Sequence, residues 1–158
     1  MLTTTQIQTL AEMLTYCRPH GSTMDQAFRA RFLHSLSGIT EDTHGNLHLR
    51  IAGALGTAPI LWSSHTDTVH RAPGRQSVHV DQQAGTIRLS RKWQRRSSCL
   101  GADDTVGVFL MREMIARQVP GHYVFHYGEE SGCIGSGDLA ECSPDLINDS
   151  DIAVALDR

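Results

Sequence analysis

Four sites in the chain carry side chains that could do chemistry together: His65-Thr66-Asp67, Gly101-Ala102-Asp103-Asp104, Gly128-Glu129-Glu130-Ser131-Gly132 and the lone carboxylate Asp157. Imidazole and carboxylate are the ligands that zinc accepts, at roughly 2.0–2.2 Å. Several carboxylates brought into one crevice repel one another unless a cation neutralises them. Each group also has an ordinary explanation when taken alone. A His-x-Asp triplet is common. Asp103-Asp104 ahead of a helix could be simple N-capping, favourable with the helix dipole. Glu129-Glu130 could be a solvated turn, and Asp157 a surface residue. Their order along the chain and their placement on the elements make the combination informative.

Those elements can be read from periodicity. Ile7, Leu10, Ala11 and Leu14 fall at helical spacing in residues 5–17, and Pro19 and Gly21 stop that helix. Ser22 or Thr23 caps a second helix running to about Leu36, with Ala27, Phe28, Phe32 and Leu36 inward. Ile39 to Asp42 and Leu47 to Ala52 read as short strands around a turn at His44-Gly45-Asn46. Pro59-Ile60-Leu61-Trp62 is a buried strand that delivers His65 and Asp67 at its end. Val78-Val80 and Thr86-Leu89 form a hairpin about Ala84-Gly85, within an arginine-rich excursion over 68–100. Val106 to Gln118 is a helix with Val106, Phe109, Leu110, Met114 and Ile115 on one side. His122–Tyr127 is a strand, Ile134–Ala140 a helix and Ile152–Leu156 a last strand. Strands alternating with helices predict a three-layer α/β/α sandwich on a mostly parallel or mixed sheet, with ligands at the C-terminal strand ends.

The 158 residues suit one domain, 1–158. With 40% apolar and 20% charged residues the composition is that of a soluble globular protein. A net charge of −3 argues against general nucleic-acid affinity. Seven of the 14 basic residues lie between Arg71 and Arg96, however. Arg88, Arg91, Lys92, Arg95 and Arg96, with Trp93 to stack, could form an anion or nucleic-acid module, but a solvated loop is the simpler reading. No stretch approaches the length of a membrane span, and no signal peptide is expected. Cys17, Cys99, Cys133 and Cys142 are widely spaced, which reads as reduced thiols in a cytoplasmic protein.

The segments SSHTDTVH, GADDTVG and HYGEESGCIGS resemble the metal-site motifs of the dimetal, co-catalytic zinc exopeptidase clan, which includes peptidase T-like tripeptidases, glutamate carboxypeptidases and aminoacylases. DTHGNLHL resembles the stretch before that clan's first core strands, so the likeness covers roughly residues 40–157. The resemblance implies metal-dependent hydrolysis of peptide or N-acyl amino acid amide bonds. It implies that His65 and Asp157 bind one zinc, Glu130 a second, and Asp103 both, with Co2+ or Mn2+ also acceptable to such ligands. It makes Glu129 the general base and Asp67 the partner that fixes the tautomer of His65. It also makes Asp103–Asp104 a candidate cis peptide.

One feature of the clan is not matched. Its fifth ligand is a later histidine, and the last histidine here is His126. The chain is expected to be part of a longer protein; a one-zinc short form or a histidine borrowed from another chain are the alternatives. Exposure of an apolar sheet edge would then invite self-association. His122 and His126 read as structural or sheet-surface histidines, while His70 is the nearer candidate for a substrate contact or extra ligand. A catalytically incomplete metal-binding domain remains the competing function.

Overall fold

The computed structural model describes residues 2–56 and 58–157. Two helices open the chain. Thr3 caps α1 (Thr4–Met13) through a reciprocal capping box with Gln6, and Ser22 caps α2 (Thr23–Phe32) through the amide of Asp25. Between them Tyr16–Cys17 forms a short strand, β1, where periodicity predicts continued helix; it pairs with β5 (Gly74–Arg75). A 3-10-like turn breaks the helix after Leu14, where Thr15 Oγ1 donates to the Glu12 carbonyl at 2.6 Å.

The central sheet has five strands: β2 (Thr40–Glu41), β3 (Leu47–Ile51), β4 (Ile60–His65), β8 (Gly121–His126) and β9 (Ile152–Ala155), in the order β2-β3-β8-β4-β9. The sheet is mixed. β4 runs parallel to both β8 and β9, whereas β3 is antiparallel to β8 and β2 to β3. The expected hairpin forms as β6 (Val78–Asp81) and β7 (Thr86–Leu89), separate from this sheet.

One face of the sheet builds the core. Register places Leu47 beside Phe125 and Leu49 beside Tyr123, and these pack with Met13, Phe28, Phe32, Val108 and Met111 from α1, α2 and α3 (Ala102–Ala116). Full burial of such side chains is worth about 1.5–3 kcal/mol each. The other face carries His48, Arg50 and His122, where Arg50 reaches the Leu146 carbonyl at 2.6 Å in the segment after α4 (Ile134–Cys142).

Two inward faces differ from expectation. Ala27 is exposed, and α2 buries Asp25 and Arg29 alongside Phe28 and Phe32. On α3, Val106 and Leu110 face outward while Val108, Phe109, Met111 and Ile115 are buried. The helix starts at Ala102 instead of Val106, with non-helical backbone at Asp103 and Asp104, and it docks on β4 through the side that carries Val108, Met111 and Ile115.

Candidate metal centre

Three adjacent parallel strands end side by side, and a fourth segment joins them. The end of β4 is the most deeply placed: His65, Thr66, Asp67 and Thr68 are all buried, because β4 is flanked on both edges. After β8 the chain turns through Gly128 into a 3-10 turn, Glu129–Ser131. After β9 come Leu156 and Asp157. The opening turn of α3 brings Asp103 and Asp104, whose connecting peptide is cis. Gly101 sits in a left-handed conformation (φ 73°) where a Cβ would stand 2.7 Å from the His70 ring, so only glycine fits that entry.

His65 is the hub. Its Nε2 lies 3.1 Å from Asp103 Oδ1, 3.7 Å from Glu129 Oε2 and 3.8 Å from Asp157 Oδ1. Ligand atoms of His65, Asp103 and Glu130 all lie within 4.8 Å of one another, and so do those of His65, Asp104 and Asp157. The sequence offers Asp104 as part of the 101–104 cluster, as an N-capping residue and as the second residue of a candidate cis pair, and not as a metal ligand. It is buried, accepts from the His65 amide at 3.2 Å and from the Gly107 amide at 2.8 Å, and burial pushes its carboxyl up to about 6.

The other ring nitrogen of His65 meets the main-chain carbonyl of Asp67 at 3.1 Å, with the Asp67 carboxylate farther away at 3.5 Å. That carboxylate has closer partners: Oδ1 accepts from the Glu129 amide at 3.0 Å and Oδ2 from the Glu130 amide at 3.1 Å. Asp67 therefore anchors the glutamate turn as well as facing the imidazole. The main-chain bonds could not be read from residue types, since they depend on how β8 turns.

The charges around His65 are predominantly negative. Burial opposes a charge on His65, yet hydrogen bonds to Asp67 and Asp103 and the charge of Asp104 outweigh it and hold the imidazole proton up to about 9. Burial raises the Glu130 carboxyl; the charge of His65 opposes this, and the charges of Asp103, Glu129 and Asp67 add to the rise. One imidazole among crowded carboxylates is a donor set that suits a divalent ion accepting nitrogen and oxygen. A cavity of about 600 Å³ lined by Arg29, Glu41, His44, Tyr127 and Asp138 lies elsewhere and includes none of these side chains. The converging imidazole and carboxylates, and not that cavity, make up the candidate metal centre.

The remaining candidates are placed differently. His70 is buried with its ring between Thr68 Oγ1 (2.7 Å) and Gln76 Oε1 (3.3 Å), facing the arginine-rich excursion. His122 lies on the sheet face, bonded to His48 at 2.9 Å. Arg88, Arg91, Lys92, Arg95 and Arg96 are solvent-exposed around a half-buried Trp93.

No family model matches the chain, and no curated protein matches it. Solved structures do. A tripeptidase from Staphylococcus aureus is 25% identical with a TM-score of 0.72, covering 97% of this chain and 43% of its own. Aminopeptidase PepT from Bacillus cereus is 22% identical with a TM-score of 0.71, over the same shares. Aminoacylhistidine dipeptidase from Vibrio alginolyticus is 15% identical with a TM-score of 0.65, covering 97% of this chain and 32% of its own. The structural neighbours are thus tripeptidase, aminopeptidase and dipeptidase chains, and the resemblance to the dimetal exopeptidase clan is shown at the level of the fold. This chain spans less than half the length of each of the three.

Proposed function

We propose that this chain carries the metal-binding part of an exopeptidase active site, which hydrolyses amide bonds of short peptides or N-acyl amino acids. The observation that carries the proposal is the convergence of Asp103, Glu130 and Asp157 on the buried imidazole of His65. His65, Asp103 and Asp157 would hold one divalent ion, and Asp103 and Glu130 would contribute to a second. A zinc ion there would supply Lewis acidity toward water and the amide carbonyl. Glu129 would take the proton of the attacking water and return it to the leaving amine. Asp67 would hold the Glu129 turn and the His65 ring in register through the bonds described above. Self-association through the outer edge of β9, which pairs with no strand among the described residues, belongs to the same reading.

The test is a zinc titration by calorimetry joined to hydrolysis of a dipeptide and N-acyl amino acid panel. Zinc binding that His65→Ala abolishes supports the metal centre. Hydrolysis that Glu129→Gln removes, while zinc binding persists, supports the base. Zinc uptake with no hydrolysis by the wild-type chain would favour a metal-binding domain instead. A wild-type chain that takes up no zinc, cobalt or manganese would end the proposal.

A further inference from the structure

Arg18, the residue after β1, is completely buried, an unusual place for a guanidinium. Its Nε donates to the main-chain carbonyl of Thr66, and its Nη1 donates to Thr105 Oγ1 at 2.8 Å. Its own backbone joins the same segment: the Thr68 amide donates to the Arg18 carbonyl at 3.1 Å, and the Arg18 amide donates to Thr68 Oγ1 at 3.3 Å. The Phe28 ring lies 3.9 Å from Cζ and backs the planar group from one side.

What those partners adjoin matters more than their number. Thr66 stands between His65 and Asp67. Thr105 follows Asp104, and its hydroxyl passes the link on to the Gly101 carbonyl at the entry of α3. One rigid fork thus ties the end of β4 to the first turn of α3, the two segments across which His65 faces Asp103. Charge agrees with geometry. Burial lowers Arg18 to about 10, and the negative charges of the buried Asp25, Asp104 and Asp67 oppose that loss and keep it a cation. Buried carboxylates need such a partner. An arginine provides two directed arms from one planar group, which a lysine ammonium does not.

We infer that Arg18 is a positioning residue of the metal centre: its guanidinium fixes the His65–Asp67 segment against the first turn of α3 and places a buried positive charge within reach of the fields of Asp67 and Asp104. The consequence for metal binding rests on the proposed function, whereas the clamp itself is made of contacts that involve no metal. The test therefore has two arms, both on the full 158-residue chain.

The decisive variant is Arg18→Lys, which keeps the charge and loses the fork. Arg18→Met loses both and is expected to prevent cooperative folding. In the metal-free chain, amide hydrogen exchange at Thr66, Thr68 and Gly107 in R18K should accelerate about tenfold or more, while the β6–β7 hairpin exchanges as in the wild type. In the zinc titration, R18K should bind about 10–100-fold more weakly, the range typical of groups that orient a metal's ligands. Wild-type exchange and wild-type affinity in R18K would overturn the inference, and so would acceleration spread evenly over all amides. If the wild-type chain takes up no zinc, the metal reading falls and the exchange arm alone decides the clamp: local acceleration retains it, and unchanged exchange removes it.

Discussion

At the scale of single residues, Asp67 and Gly107 hold the site by opposite means, one by what it bonds and one by what it lacks. Burial raises the Asp67 carboxyl, but the hydrogen bond and charge of His65, with the amides it accepts from, outweigh this and keep it below the usual carboxylate range. Asp67→Asn turns an NH2 group toward one of the two glutamate amides, setting donor against donor. We expect zinc affinity to fall about 10–100-fold in this variant, read by competition with a chelating dye. An unchanged affinity would mean that Asp67 does not position the ligands. Gly107 lies where an added Cβ would overlap both the Asp104 carboxylate and the Leu156 carbonyl. Gly107→Ala should cost about 1–3 kcal/mol in urea unfolding, as overpacking of a tight core does. His65, Asp103, Glu129 and Glu130 could be picked out from residue type and motif. The inward role of Asp104 could not, nor could Arg18. An aspartate ahead of a helix looks like a cap, and an arginine between a tyrosine strand and Pro19 looks like a surface residue. Only the non-helical backbone at Asp103 and Asp104, and the bonds of Arg18 to Thr66 and Thr105, turn them inward.

At the scale of elements, α3 shows where periodicity runs out. Apolar residues stand on more than one side of it, Val106 and Leu110 outside and Val108, Met111 and Ile115 inside, and docking against β4 decides which side is buried. The β3–β8 pairing holds a polar chain that the sequence did not announce. Asp42 Oδ2 lies 3.0 Å from His48 Nε2, and His48 Nδ1 lies 2.9 Å from His122 Nε2. Burial raises the Asp42 carboxyl, but the hydrogen bonds from Asn46, His48 and His44 outweigh it and hold it below the usual carboxylate range, so it accepts from His48 Nε2. Burial, with the charges of Arg50 and His48 beside it and only Asp149 opposing, lowers His122 from 6.5 to about 4. The unfolded chain takes up this proton below pH 6.5 and the folded chain refuses it until about pH 4. Stability from this group is therefore complete above pH 6.5 and drains away as pH falls toward 4. Allowing for screening, the loss is on the order of 1–2 kcal/mol. His126, also lowered to about 4 by burial, acts in the same direction. Urea midpoints across this window should fall for the wild-type chain and fall less steeply for His122→Asn. Parallel slopes would remove His122 from the account.

At the scale of the whole molecule, the layout of strands alternating with helices was legible because each buried strand is short, apolar and bounded by turn residues. Strand order was not legible. Nothing in β3 or β8 taken singly says that they pair antiparallel while β8, β4 and β9 run parallel; that order is what sets three strand ends side by side. It also means that the candidate ligands come from four separate parts of the chain and meet only when the sheet and α3 are assembled. An ion held there binds the folded state and not the unfolded one, and must raise the free energy of unfolding by RT ln(1 + [L]/Kd), about 2.7 kcal/mol at a hundredfold excess over Kd. For a chain of this size, each kcal/mol shifts the melting temperature by about 2–4 °C. Zinc at that excess should therefore raise the midpoint by about 5–11 °C, and a chelator should reverse the shift. Magnesium, which retains its water and prefers oxygen ligands in octahedral geometry, should do far less at the same concentration. His65→Ala should melt at one temperature with or without zinc, because the hub of the cluster is gone. A zinc-dependent shift of wild-type size in that variant would place the ion elsewhere on the chain, and would separate the fold these peptidases share from the chemistry proposed for it here.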